Sequence, residues 1–119
     1  MARQTLTKTV ALGGYPASLV GTTLTFTAAD ATNKQQFVST GKELVIAKNS
    51  NSGSTARTVT INSTADERNR TADYTAVSIA AGATAIFGPF PQLGWVQPDG
   101  KIYLEASHAE ILWAVVQLP

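Results

Sequence analysis

The chain has 119 residues, a net charge of +1 and only 14% charged residues, and no segment concentrates one sign, which argues against phosphate backbones and anionic membranes as partners. It contains no cysteine, which excludes disulfides, thiol catalysis and cysteine-based zinc sites. A domain of this length buries about two-thirds of its unfolded surface, enough for a core held by packing or assembly alone.

The N-terminal "MARQTLTKTV" carries no apolar stretch of signal-peptide length, and no run approaches the roughly 18 apolar residues of a membrane helix. The expectation is a protein made in a cytoplasm, with neither membrane nor nucleic acid as partner. Residues 1–21 read either as a first strand, Thr5 to Val10, with its loop, or as an arm with Gly13, Gly14 and Gly21 around a short apolar patch. Residues 22–119 read as one β domain. Helical periodicity is hard to find, whereas β-branched runs punctuated by Gly, Pro, Asn and Asp recur at intervals of roughly ten residues.

After Thr5 to Val10, the predicted strands are Thr22 to Thr27, Glu43 to Lys48, Arg57 to Asn62, Thr75 to Ala80, Thr84 to Phe87, Lys101 to Ser107 and Ile111 to Leu118. Eight short strands predict an antiparallel β-sandwich or jelly roll. Between Lys48 and Arg57, "NSNSGSTA" predicts an exposed, mobile hairpin connection, and "TADERNRTAD" (64–73) a loop of mixed charge. Gly88, Pro89 and Pro91 end the strand before them, because proline cannot donate to a sheet ladder. Phe87, Phe90, Leu93 and Trp95 then fall where they can cap an open end of the sandwich. Asp99-Gly100 predicts a type I′ turn with both residues at positive φ.

Pleat alternation separates strands with one wet face from strands covered on both. Arg57 to Asn62 and Lys101 to Ser107 alternate apolar with polar residues. Ile111 to Leu118 does not: Ile111, Trp113 and Val115 on one face are backed by Leu112, Ala114, Val116 and Leu118. Glu43 to Lys48 behaves similarly, with Leu44 and Ile46 backed by Val45 and Ala47. A two-layer sandwich covers one face of each sheet, so these strands point to a covering loop, an arm or a neighbouring subunit. The predicted interface with another subunit or a partner is Ile111, Trp113, Val115, Leu112 and Val116, with Phe90 and Trp95 from the aromatic corner.

Catalytic chemistry finds little to stand on, and no cofactor or metal site is predicted. His108, the only histidine, sits between Glu105 and Glu110 at a spacing that fits no zinc or iron pattern. Asp66, Glu67 and Asp73 lie beside Arg68 and Arg70, which would lower carboxylate pKa values rather than raise one for acid duty. "STGKE" (39–43) lacks the first glycine of a phosphate loop, and no nucleophile elbow occurs. The sequons at Asn62 and Asn69 have no secretion signal behind them. A non-enzymatic protein is expected.

From about Gln36 onward the order of features is specific: "QQFVSTGKELVIAKNSNSGSTARTVTI", then "VSIAAGATAIFGPFP", then "GKIYLEASHAEILWAVVQL". This resembles a group of small virion structural proteins of tailed bacteriophages, of the head decoration or cement type. The resemblance implies a protein on the capsid surface, commonly a homotrimer, whose partner is the major capsid protein and whose task is to bridge capsid subunits. It implies no catalytic residue. A second expectation, from another class, is a carbohydrate-binding or host-recognition module that uses Trp95, Tyr103 or Tyr74 as stacking platforms.

Overall fold

In the computed structural model, which describes residues 3–10, 24–64, 73–90 and 94–118, the β-branched runs form ten strands and no helix. They are β1 (Gln4–Thr5), β2 (Lys8–Val10), β3 (Thr27–Ala28), β4 (Gln35–Val38), β5 (Glu43–Asn49), β6 (Arg57–Asn62), β7 (Tyr74–Ile79), β8 (Thr84–Phe87), β9 (Lys101–Ala106) and β10 (Ile111–Gln117). One sheet runs β1-β4-β9-β6-β7. The other runs β2-β10-β5-β8, with β3 also pairing β10. Taken without β1 and β2, the strands alternate as β4-β9-β6-β7 against β3-β10-β5-β8 and every pair is antiparallel, which is the wrapped double Greek key of a jelly roll.

The side chains that point between the sheets form the core. Phe37, Val59, Ile61, Ile79, Ile102 and Leu104 of the first sheet meet Val45, Ala47, Ile111, Trp113 and Val115 of the second, all nearly or fully buried. Each contributes about 1.5–3 kcal/mol by leaving water, less for alanine. Register fixes which residues these are, because a one-residue slip would turn every one of them outward. Asn49 ends β5 inside this core. Its Nδ2 donates to the carbonyls of Ile79 (2.9 Å) and Thr55 (3.0 Å), and its Oδ1 accepts the Asn51 N–H (3.0 Å), so one amide ties the two sheets together.

The N-terminal strands are the departure from a plain jelly roll. β1 runs parallel to β4 (Gln4↔Gln35, Thr5↔Gln36), and β2 runs parallel to β10 (Val115↔Lys8 to Gln117↔Val10). The segment predicted as one strand, Thr5 to Val10, therefore crosses from one sheet to the other, with Leu6 buried at the crossing and its N–H bonded to the Gln36 carbonyl (2.8 Å). Ion pairs hold both ends: Arg3 to Glu105 (3.2 Å) and Lys8 to Glu43 (2.9 Å).

Other differences have local causes. β4 was missed because Gln35 and Gln36 look solvated, yet Gln35 is buried with its Nε2 donating to Gln4 Oε1 (3.0 Å) and the Ala28 carbonyl (3.2 Å). Of the predicted Thr22 to Thr27 strand, residues 22 and 23 lie outside the described set, and only Thr27 joins a ladder, with Ala28. "NSNSGSTA" is no hairpin: it carries the chain from β5 in one sheet to β6 in the other, and Asn51 Oδ1 takes the Gly53 N–H (2.8 Å). At Gln97–Lys101 only Gly100 has positive φ (82°), and Gly100 N–H bonds the Gln97 carbonyl while Gln97 N–H bonds that of Lys101. This is a type I turn followed by a bulge, with Pro98 fixing its first corner, rather than type I′.

Candidate functional site

The second sheet turns Leu44, Ile46 and Lys48 of β5, Thr84 and Ile86 of β8, and Leu112, Ala114 and Val116 of β10 away from the core, since their ladder neighbours Val45, Ala47, Ala85, Phe87, Trp113 and Val115 point inward. This outward face is apolar at most of its positions. Ala114 is only 2% exposed in the single chain, so the chain itself covers the middle of β10, while Ile86 at the far edge is 65% exposed with Ile46 and Leu44 half-buried beside it. The apolar surface is thus most open at Ile86 on β8, half-covered at Leu44, Ile46, Leu112 and Val116, and closed at Ala114.

That placement corrects the predicted interface. Ile111, Trp113 and Val115 are fully buried between the sheets and Phe90 is buried under the corner, so none of the four is available to a partner. Leu112 and Val116 lie on the outward face, half-buried, and Trp95 is half-buried in the aromatic cap. Apolar character on both faces of β10 reflects a central strand whose outward Ala114 is covered within the chain while Leu112 and Val116 stay half-buried. Ile86 was missed, although "TAIF" contains the signal: with Ala85 and Phe87 inward, Ile86 must face out.

The cap brings four aromatic rings together. Tyr74 lies 5.1 Å from Trp95, 5.9 Å from Phe87 and 6.4 Å from Phe90, and Phe90 lies 5.0 Å from Trp95, all centroid to centroid and tilted. Tyr74 is 44% exposed and presents the open surface of the cluster. Leu93, also expected in the cap, lies outside the described residues. Gly88 (φ +101°) makes the corner possible. A Cβ there would stand 2.9 Å from the Glu43 carbonyl oxygen, and Phe90 packs against the same point. Tyr103, the third predicted platform, lies elsewhere on the outward face of the first sheet. The Arg3 guanidinium sits 4.2 Å above its ring, and its hydroxyl donates to Asp99 Oδ2 (2.8 Å). That hydrogen bond to Asp99 pushes the Tyr103 phenol above its ordinary value.

Of the trio around His108, Glu110 lies beside the imidazole (Oε1 3.5 Å from Nδ1), whereas Glu105 is engaged elsewhere. Glu105 Oε2 accepts from Asn62 Nδ2 (2.9 Å) and Arg3, and its Oε1 pairs with Lys34 (3.1 Å). Burial raises its carboxyl, but Asn62, Lys34 and Arg3 outweigh that and hold it below its usual range. Asn62, the first sequon residue, is committed to that bond. Glu110 is held by Asn51 (2.9 and 3.1 Å) and by Arg57 (2.9 and 2.7 Å), which lower its pKa in that order. His108 Nδ1 accepts the Glu110 N–H (3.0 Å), an assignment that leaves its proton on Nε2. Glu110, through Asn51 and Arg57, fastens the β5–β6 connection and the start of β6 to the turn before β10.

Asp73 Oδ1 accepts from the N–H (2.7 Å) and hydroxyl (2.8 Å) of Ser63, whereas Asp66, Glu67, Arg68, Arg70 and the Asn69 sequon fall outside the described residues. "STGKE" is a turn. Thr40 donates its N–H (2.8 Å) and hydroxyl (2.7 Å) to the buried Glu43 carboxylate at the head of β5. Among the described residues no group of three His, Asp or Glu side chains is placed to hold a metal ion, and no helix is long and apolar enough to cross a membrane. No protein-family model, curated protein or solved structure matches this chain.

Proposed function

We propose that this chain is a non-enzymatic virion structural protein of a tailed bacteriophage, a capsid decoration protein that binds the outside of the head as a homotrimer and bridges neighbouring copies of the major capsid protein. The observation that carries it is the apolar outward face of the second sheet, where Ile86 is exposed beside Ile46 and Leu44. Exposed aliphatic side chains on a rigid sheet gain by being covered, and a low charge density lets many copies sit close together without strong repulsion. The fold supports this reading without deciding it, since jelly rolls serve viral capsids, lectins and cupins alike. Several weak contacts per trimer would combine by avidity into lasting attachment.

The test is co-sedimentation of the purified protein with expanded heads that lack it, taken from the phage that encodes it. Saturable binding to expanded but not unexpanded shells, reduced at least tenfold by Ile46→Lys, is expected. Failure to bind either form would remove the proposal.

One observation favours a second reading, a carbohydrate-binding module: the structure brings Tyr74 and Trp95, two of the three predicted platforms, to 5.1 Å with Tyr74 facing solvent. Glycan-array binding that disappears in Trp95→Ala, with cooperative unfolding retained, would establish it over decoration.

A further inference from the structure

Most edges of the two sheets carry a device that blocks strand addition. β1 and β3 are two residues long, and β2 is three residues long and begins at the ion-paired Lys8. β7 is bulged between the partners of Val59 and Ile61, with Ala76 at φ +50° and its N–H turned onto Thr60 Oγ1 (3.0 Å). β8 has no such device. It is four residues of "TAIF" with no charge, proline or bulge, and Ile86 on it is 65% exposed.

The ladder shows which backbone groups this edge offers. Asn49 N–H bonds the Ala83 carbonyl (3.0 Å), so in the same register Ala47–Ala85 and Val45–Phe87 are the hydrogen-bonded pairs with β5. Thr84 and Ile86 therefore aim their N–H and C=O groups away from β5, where no strand of the described chain lies. Gly82 (φ +76°) and Gly88 (φ +101°) turn the chain at either end, so the open edge is confined to these residues.

We infer that β8 is a homotypic strand-addition site: it pairs antiparallel with β8 of a second copy of this chain, about a two-fold axis at Ala85. In that register Thr84 of each copy faces Ile86 of the other, and all four free groups on each edge find partners in four hydrogen bonds. A one-residue slip would pair inward with outward side chains. Ala85 meets its own counterpart as a non-hydrogen-bonded pair, where strands approach to a Cα separation of about 4.5 Å and a small side chain fits. Thr84 and Ile86 continue the outward face across the axis and merge the two apolar patches. The edge carries no charge that would favour a basic or acidic foreign strand, and its complement of donors and acceptors is its own. This inference does not depend on the virion reading, and a two-fold contact can join chains or larger units alike.

The absence of cysteine makes the test direct. Ala85→Cys puts a single thiol on the axis, at a separation compatible with a disulfide. Under mild oxidation it should form a covalent dimer at least tenfold faster than Ser52→Cys in the exposed β5–β6 connection. Sedimentation equilibrium of the otherwise unaltered chain should show mass doubling with concentration. Ile86→Lys, and separately Thr84→Pro, which removes only an outward N–H, should weaken that doubling at least tenfold while keeping cooperative thermal unfolding. A chain that never doubles, a doubling that survives both substitutions, or cross-linking no faster than at residue 52 would overturn the inference, and with it any reading in which β8 takes a strand from its own kind.

Discussion

Glu43 offers the sharpest test of how this sandwich is held together. Its side chain is 1% exposed at the head of β5, and its carboxylate accepts from Thr40 N–H (2.8 Å), Thr40 Oγ1 (2.7 Å) and Lys8 Nζ (2.9 Å). Glu43→Gln keeps the shape and one acceptor but removes the charge and turns an amide donor toward Lys8 or Thr40. Removing one partner of a buried ion pair costs about 3–5 kcal/mol. Lys8 is 18% exposed and recovers some hydration, so a loss of roughly 2–4 kcal/mol is expected, a fall in Tm of roughly 10 °C for a domain of this size.

The loss should depend on pH. Burial pushes the Glu43 carboxyl up, but the Thr40 N–H, Lys8 and the Thr40 hydroxyl together hold it below its ordinary 4.5. Below that value the unfolded chain binds the proton first, so this contribution is complete above 4.5 and drains away as pH falls through the lower folded-state value. Thermal unfolding of both proteins by circular dichroism should show a gap at neutral pH that narrows progressively as pH falls below 4.5. A neutral-pH gap under about 2 °C, or one unchanged across the acid range, would refute the assignment of a buried, ionised Glu43 to the N-terminal latch.

Further consequences are equally open to measurement. Asn49→Leu strands the Ile79 and Thr55 carbonyls and should cost about 2–4 kcal/mol in denaturant unfolding. Gly88→Ala places a Cβ 2.9 Å from the Glu43 carbonyl at φ +101° and should lose roughly 2–3 kcal/mol, whereas Gly82→Ala, at φ +76° with open space around it, should lose only about 1 kcal/mol. Ultraviolet titration should find the Tyr103 phenol ionising above its ordinary 10.0, and Asp99→Asn should bring it down, because the Asp99 hydrogen bond is the leading cause of the rise. Trp113→Ala, emptying the largest fully buried side chain, should cost about 3–5 kcal/mol.

Strands bounded by Gly, Pro, Asn or Asp turn signals were legible in the sequence almost to the residue: β6, β8, β9 and β10 differ from expectation by one residue at most. What escaped was carried by pairing rather than pattern. β4 hides behind two glutamines because Gln35 satisfies its amide through Gln4, 31 residues away, and the Ala28 carbonyl, contacts that no local pattern announces. The split of the first strand between two sheets is set by Glu105 and Glu43, which anchor Arg3 and Lys8 from opposite layers. The candidate surface was displaced for a similar reason. Apolar residues on both faces of β10 look identical in sequence whether the cover comes from the same chain or from another, and the burial of Ala114 in the single chain leaves Ile86 on β8 as the most open point of that face. The aromatic corner was the better guide, since Gly88 and Pro89 turn the chain there, and Phe90 and Trp95 gather with Tyr74.

The most direct test of the proposed role is a cryo-electron-microscopy difference map between heads assembled with and without this protein. The account predicts jelly-roll density on the outer shell surface, centred on local three-fold axes, with the β5–β8 face of each copy covered by the capsid or by a neighbouring copy. Identical maps from the two preparations would contradict it.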